Sequence, residues 1–227
     1  MKLNLSVQIF ASLVLSVVVG LVLVDGAIGP VKTWVAPVGT MFINLIKMMI
    51  VPVVLCSLVV GMTSMGDLKK LGRIGMKTVG FYMVTTAIAI VIGFAVASVI
   101  QPGIGMALPG EAAPKVKEAP TIMQVFVNMI PTNPIASMAK ADILPVIIFS
   151  LFLGAGIISV GGSRSKLLIN LFDAGAEVCY KIIAMIMRLA PIGVFCLLLP
   201  VVVQNGPKVL LPLLSVIIAM AVGCTIH

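Results

Sequence analysis

One apolar stretch constrains this chain more than any other feature. Between Val35 and Gly66 the only charged residue is Lys47, and a basic cluster follows at once, at Lys69, Lys70, Arg73 and Lys77. As a single α-helix the stretch would be roughly 48 Å long at about 1.5 Å per residue, longer than the roughly 30 Å thickness of a bilayer's hydrocarbon layer. We therefore expect a strongly tilted or bent transmembrane helix, with Pro52 as the place for a bend.

The composition places the whole chain in a membrane. Hydrophobic residues make up 61% of it and charged residues only 10%, against about 25% charged residues in soluble domains. The net charge of +8 could indicate nucleic-acid binding, but the basic residues lie mostly in short segments between apolar spans. There they set the orientation of the helices, so we predict a lipid bilayer as the surroundings and no nucleic-acid partner.

Six apolar spans predict an all-α integral membrane protein with about six transmembrane helices, at about 5–24, 35–66, 78–100, 121–162, 167–203 and 208–226. The fourth span contains Pro131 and Pro134, which cannot both lie inside one regular helix, so we expect a broken helix there. A long external loop is expected between Gly103 and Pro120. Nine basic residues on the side of Lys2, against five on the other side, predict a cytoplasmic N-terminus.

Residues typical of an enzyme or a metal site are scarce. The cysteines are scattered singly, without a CxxC pair, and the sole histidine is His227, so we predict no metal site and no disulfide framework. No pairing of nucleophile and base, and no pair of carboxylates, suggests a catalytic cleft, so no enzyme and no cofactor are expected. The four cysteines are Cys56, Cys179, Cys196 and Cys224.

Charges inside the apolar spans require a separate explanation. Asp173, Glu177, Lys181 and Arg188 fall on one narrow stripe of a helix, and we favour a solvated or protein-facing strip over a proton relay. Glu177 lies four residues before Lys181, the favourable order for an ion pair along a helix. For Lys47 we favour an interface or domain contact over substrate binding, because its long stem can reach toward polar surroundings.

Several segments, taken together and in this order, resemble one transporter family across essentially the whole chain. They are INLIKMMIVPVVLCSLVVGM and GDLKKLGRIG within 43–75, FYMVTTAIAIVIG at 81–93, IPTNPIASMA at 130–139, LPVIIFSLFLGAGI at 144–157 and APIGVF at 190–195. The chain resembles the dicarboxylate/amino acid:cation symporter family, the glutamate-transporter-like proteins, in what corresponds to their N-terminal half.

The resemblance implies a trimeric elevator transporter of the cytoplasmic membrane, the inner membrane of the cell. Helices one, two, four and five would form its static scaffold, and helices three and six would begin its moving transport domain. In the family, the substrate contacts come from two re-entrant hairpins, a broken seventh helix and the eighth helix, none of which this sequence contains. We therefore expect no substrate-binding residue in this chain.

A partial cation site is the one piece of family chemistry that matches residues of this chain. Tyr82, Thr85 and Thr86 match positions that supply oxygen ligands to a sodium site, although some members have a serine where this chain has Thr86. A hard cation needs several oxygens, and one helical turn supplies only a few. The alternative is structural, because threonine hydroxyls in apolar helices commonly bond back to the helix carbonyls.

Two functions from different classes remain open on the sequence alone. The first is symport of glutamate, aspartate or a C4-dicarboxylate with Na⁺ or H⁺ by the full-length form. The second is a truncated, non-transporting scaffold fragment that only oligomerises. Which substrate and which coupling ion apply would be decided by residues outside this chain.

Overall fold

The computed structural model describes residues 4–23, 28–64, 68–101 and 121–227. Within these residues the chain is α-helical and has no strand, which confirms the predicted all-α class. The turn expected around Asp25, the residues around Gly66 and the whole of the expected external loop lie outside the described residues. The side chains of Lys69 and Lys70 are likewise not described.

The first four helices include the long apolar stretch. Helix α1 spans Leu5–Val22, and the short helix α2 spans Ile28–Pro30. A π-helical segment at Val31–Val35 leads into α3 at Ala36–Ser64, and α4 spans Leu68–Ile100. Helix α3 continues through Pro52 without a break. The missing N–H of a proline frees one carbonyl of the preceding turn, which a helix packed among other helices tolerates.

The predicted break in the fourth span is present. Helix α5 spans Ile122–Met129, α6 spans Pro134–Lys140 and α7 spans Ile143–Val160. Asn133 caps α6, since its side-chain oxygen accepts hydrogen bonds from the backbone N–H groups of Ile135 and Ala136 at 3.0 and 3.2 Å. Ala141 ends α6 in the left-handed conformation, with φ of 56°. Capping by an asparagine followed by proline at the first helical position is a common way to begin a helix.

The predicted fifth span differs from the structure. Helix α8 spans Gly162–Met187 and α9 spans Ala190–Asn205, and the two helices meet at an angle of 53°. Pro191 explains the interruption, because its ring cannot donate a hydrogen bond to the preceding turn but fits the first turn of a new helix. A 3₁₀ turn at Gly206–Val209 then leads into α10 at Leu210–Ile226.

Four helices among the described residues are long and apolar enough to cross a membrane on their own. They lie at Leu5–Val22, Ile28–Ser64, Gly80–Ile100 and Ile143–Val160, and the bent pair α8 and α9 together makes a fifth candidate. Helix α10 has 17 residues and is a shorter apolar helix. The chain is therefore a multi-pass membrane protein, with four or five spanning candidates by this criterion where the sequence predicts about six.

The helices form two compact units. The first contains Met1–Thr40, Ile74–Lys115 and Pro191–His227, and the second contains Met41–Arg73 and Val116–Ala190. In the first unit a small core of Val31, Leu199 and Val203 is covered by residues of α1, α9 and the π-helical segment. In the second unit α3 packs against α7 and α8 through glycines, a mode of contact that lets helices approach closely in membranes.

Candidate functional site

The predicted cation ligands lie together on one turn of α4. Tyr82, Thr85 and Thr86 stand at positions i, i+3 and i+4, which share a helix face. The Tyr82 side chain is 63% exposed, and its ring is 6.5 Å from the ring of Phe81, centroid to centroid. Thr86 is exposed and Thr85 is half-buried. Three side-chain oxygens therefore lie along one helical turn, on a face of α4 that the other described residues leave largely exposed.

The hydrogen bonds of Thr85 fit the structural interpretation of its hydroxyl. The hydroxyl donates to the carbonyl oxygens of Phe81 and Tyr82, at 3.1 and 3.2 Å. Such a bond occupies the hydroxyl hydrogen but leaves lone pairs on the oxygen, and a cation binds through lone pairs. The role of Thr85 in cation binding therefore stays a prediction, and three oxygens are too few for a complete sodium or calcium-like shell.

Lys47 lies on the exposed surface of α3 in the second unit. Its neighbour Met49 is buried and points inward, whereas the Lys47 side chain is exposed. No ion pair to another described side chain holds its ammonium group. An exposed lysine with a flexible stem can carry its charge along the helix surface toward water or lipid headgroups, so a contact role stays our prediction.

The charged stripe of α8 also faces outward. Asp173, Glu177 and Lys181 are exposed, as is Arg188 just beyond the end of the helix. No ion pair joins Glu177 to Lys181 in the described part of the chain. Exposed charges without partners are typical of a solvated strip at a membrane interface rather than of a buried proton relay.

A polar cavity in the broken segment was not recognised from the sequence. About 670 Å³ of space lies between α5, α6 and α7, with polar lining residues Asn128, Thr132, Ser137, Lys140 and Asp142. The sequence contained a signal, because these five polar residues fall within a short part of an otherwise apolar span. The two prolines predict the break in the helix, but they do not by themselves predict the space that the break creates.

A second cavity, of about 390 Å³, is apolar and lies between α4 and α10 in the first unit. Small residues line much of it, namely Ala89, Gly93 and Ala97 on α4 and Ala219 and Gly223 on α10. This cavity begins two turns beyond Tyr82 along α4 and does not include the predicted cation ligands. Among the described residues no three histidine, cysteine or acidic side chains come together to hold a metal ion.

Known proteins similar to this chain are transporters. A proton/sodium-glutamate symport protein of Geobacillus stearothermophilus is 36% identical over 228 residues, and a proton/glutamate-aspartate symporter of Escherichia coli is 36% identical over 231 residues. Each alignment covers 96% of this chain and 53% of the relative. A C4-dicarboxylate transport protein of Bacillus subtilis is 33% identical, over 96% of this chain and 52% of the relative.

The chain spans about half the length of these curated relatives. The sequence model of the sodium:dicarboxylate symporter family matches residues 5–227, which is nearly the whole chain. The family resemblance seen in the sequence is therefore confirmed, and the chain belongs to the sodium:dicarboxylate symporter family.

Proposed function

We propose that the full-length form of this protein is a secondary active transporter. It carries glutamate, aspartate or a C4-dicarboxylate in symport with Na⁺ or H⁺ across the cytoplasmic membrane. The observation that carries the proposal is the family match over residues 5–227. The 36% identity to each of two named symporters supports it. The apolar helices α1, α3, α4 and α7 supply the membrane framework that such transport requires.

The hydroxyl-bearing turn of α4 supports the cation coupling in this proposal. Tyr82, Thr85 and Thr86 present hard oxygen donors, the ligand type that sodium ions prefer, on a helix surrounded by apolar residues. A cation site with three oxygens from α4 needs further ligands from elsewhere in the assembled transporter. A shared site of this kind would link cation binding to the position of α4, as coupled transport demands.

A homotrimer in which α3, α5 to α7 and α8 to α9 contribute to a static scaffold is part of the same proposal. Brief cross-linking of the purified chain in mild detergent tests it, with the same protein unfolded in SDS before cross-linking as control. Trimers that appear only in the folded sample are the expected result. A strictly monomeric folded sample would contradict the trimeric scaffold.

The second candidate function is a scaffold fragment that oligomerises without transporting. The observation that favours it is the incomplete oxygen set on α4, because Tyr82, Thr85 and Thr86 alone are too few ligands for a cation. In this case the 227 residues by themselves would insert and associate but would move no substrate.

A chimera tests the transport proposal directly. The part of this chain that aligns with the Escherichia coli relative replaces the matching part of that relative, and uptake of radiolabelled aspartate is measured in proteoliposomes. Uptake driven by an imposed Na⁺ or H⁺ gradient, and abolished when the gradient is dissipated, is the expected outcome. The intact relative and empty liposomes are the controls.

The isolated chain forms the other arm of the experiment. If the chimera is folded and inserted but takes up no aspartate, glutamate or succinate, the transport proposal fails and the result supports the fragment interpretation. If the isolated chain takes up substrate without the rest of a symporter, the expectation that it contains no substrate-binding residue is wrong.

A further inference from the structure

Two cysteines from different helices lie at one seam inside the second unit. Cys56 lies on α3 and Cys179 on α8, and the Cys56 sulfur packs against Gly175, one helical turn before Cys179. Cys179 is buried, and Cys56 is half-buried. The sequence alone shows no sign of this pairing, because the two residues are far apart in the chain and neither belongs to a recognisable motif.

Gly175 explains why Cys56 can lie so close to the face of α8 that carries Cys179. It precedes Cys179 by one helical turn and so lies on the same face of α8. A β-carbon at Gly175 would be 3.2 Å from the Cys56 sulfur, which shows that Cys56 lies directly against the glycine. With hydrogen in place of a side chain at this position, α3 approaches α8 closely at the turn that leads to Cys179.

The contact belongs to an extended seam between the two helices. Farther along, an apolar groove of about 230 Å³ is lined by Ile46, Ile50 and Val53 of α3 and by Ile183 and Ile186 of α8, among others. Residues earlier in α3 therefore face residues later in α8, so the two helices run antiparallel. The two cysteines lie at the closely packed part of this seam, where Cys56 meets Gly175.

We propose that Cys56 and Cys179 are a site of disulfide modification that ties α3 to α8. A membrane-permeant oxidant is required because both cysteines lie in apolar helices. Two S–H bonds break and one S–S bond forms, and the two electrons and two protons pass to dioxygen, which becomes hydrogen peroxide. Cys56 already lies against the turn of α8 that leads to Cys179, so rotation about the side-chain bonds can bring the sulfurs together.

Simple packing is the alternative explanation, since a buried free cysteine behaves as a small apolar side chain. If the cysteines only pack, both thiols should stay free when the folded chain is oxidised, because a disulfide needs a more specific geometry than a packing contact. The proposal predicts one specific pair, because the other two cysteines, Cys196 and Cys224, lie in the first unit. A disulfide at this place would constrain one unit internally, and it would raise the temperature at which that unit unfolds.

Cleavage at methionine gives a map of the product. The methionines of this chain separate all four cysteines into different fragments, which cover 50–62, 139–185, 188–220 and 221–227. The folded chain in mild detergent is oxidised in air with copper-phenanthroline, free thiols are blocked with N-ethylmaleimide, and the protein is cleaved with cyanogen bromide. We expect fragments 50–62 and 139–185 to be joined, and dithiothreitol to separate them.

Serine variants identify the sulfurs involved. Cys56→Ser and Cys179→Ser should each abolish the joined fragment, whereas Cys196→Ser and Cys224→Ser should leave it unchanged. The unmodified chain oxidised after unfolding in SDS should give a mixture of pairs. Recovery of both fragments unlinked from the oxidised folded chain, or their linkage to other cysteine fragments, would overturn the proposal without reliance on any variant.

Discussion

Met62 on α3 occupies the space that a side chain at Gly154 on α7 would need. A β-carbon at Gly154 would lie 2.6 Å from Cγ and 2.7 Å from Cβ of Met62, and Gly154 is buried. Both distances are far shorter than an ordinary contact between carbon atoms, which is about 3.5–4.0 Å. The close approach of α3 and α7 in the second unit therefore depends on the absence of a side chain at position 154.

The first prediction is that Gly154→Ala destabilises the second unit. The terminal part of Met62 can rotate away, but its Cβ is fixed to the backbone of α3, so the helices must separate. Overpacking of this kind typically costs about 1–3 kcal/mol of unfolding free energy. The measurement is thermal unfolding in detergent, and the unfolding temperature should fall by several degrees.

Gly156→Ala is the matched control, because a β-carbon at Gly156 meets nothing within 4 Å on the same helix. Alanine favours a helix over glycine by about 1 kcal/mol, so this variant should be as stable as the parent or more so. Equal stability of the two variants would show that α7 does not pack on Met62 as described.

Gly20→Ala should weaken the first unit in the same manner. A β-carbon at Gly20 would lie 2.7 Å from Cγ1 and 2.8 Å from Cβ of Val202 on α9. Valine is branched at Cβ and has one strongly preferred rotamer in a helix, so it yields less readily than methionine. We expect a lower unfolding temperature for Gly20→Ala and a partial restoration when it is combined with Val202→Gly, which removes both Val202 atoms from the contact. A double variant as unstable as Gly20→Ala alone would contradict the contact.

The helices of this chain could be predicted from the sequence better than their contacts. The apolar spans and the break at Pro131 and Pro134 follow from local composition, because prolines close together free backbone groups that a regular helix cannot satisfy. A single proline does not predict whether a helix continues or bends. Pro52 lies within the continuous helix α3, whereas Pro191 coincides with a bend of 53° between α8 and α9, and the local sequences do not distinguish the two outcomes.

Contacts across helices could not be predicted because they join residues that are distant in the chain. Gly154 meets Met62, and Cys56 meets Gly175, only because α7 and α8 each pack against α3. No periodicity within one helix encodes which glycine faces which partner. The candidate cation ligands are the opposite case, since Tyr82, Thr85 and Thr86 share one turn and their common face follows from helix geometry alone.

Asn133 should determine the stability of α6. Its side-chain oxygen accepts the backbone N–H groups of Ile135 and Ala136, which no carbonyl of the helix can reach. Asn133→Ala removes this cap and should cost about 0.5–2 kcal/mol of local stability. Hydrogen exchange of the peptide that contains α6, followed by mass spectrometry, should show faster exchange.

Asn133→Asp is the control for the cap, because a carboxylate oxygen can accept the same two hydrogen bonds. Exchange in α6 should remain close to that of the parent. If Asn133→Ala also left the exchange unchanged, the helix would be held by its packing on α7 and the cap would contribute little.

Thr85→Val should weaken cation coupling in the chimera with the Escherichia coli relative. Valine has nearly the shape of threonine but no oxygen, so it removes one predicted ligand and also the hydrogen bonds to Phe81 and Tyr82. Loss of a ligand that contributes about 1.4 kcal/mol raises the cation concentration for half-maximal aspartate uptake about tenfold. Thr85→Ser retains the hydroxyl and should shift this concentration little.

Thr33→Val separates the loss of a ligand from the loss of a hydrogen bond. The Thr33 hydroxyl donates to the carbonyl oxygen of Gly29 at 3.0 Å, a bond of the same kind as that of Thr85, outside the predicted site. Its replacement should leave the cation dependence of uptake unchanged. If Thr85→Val behaved in the same way, with altered stability but the parent's cation dependence, the hydroxyl of Thr85 would be structural and the prediction of a cation site on α4 would lose its central ligand.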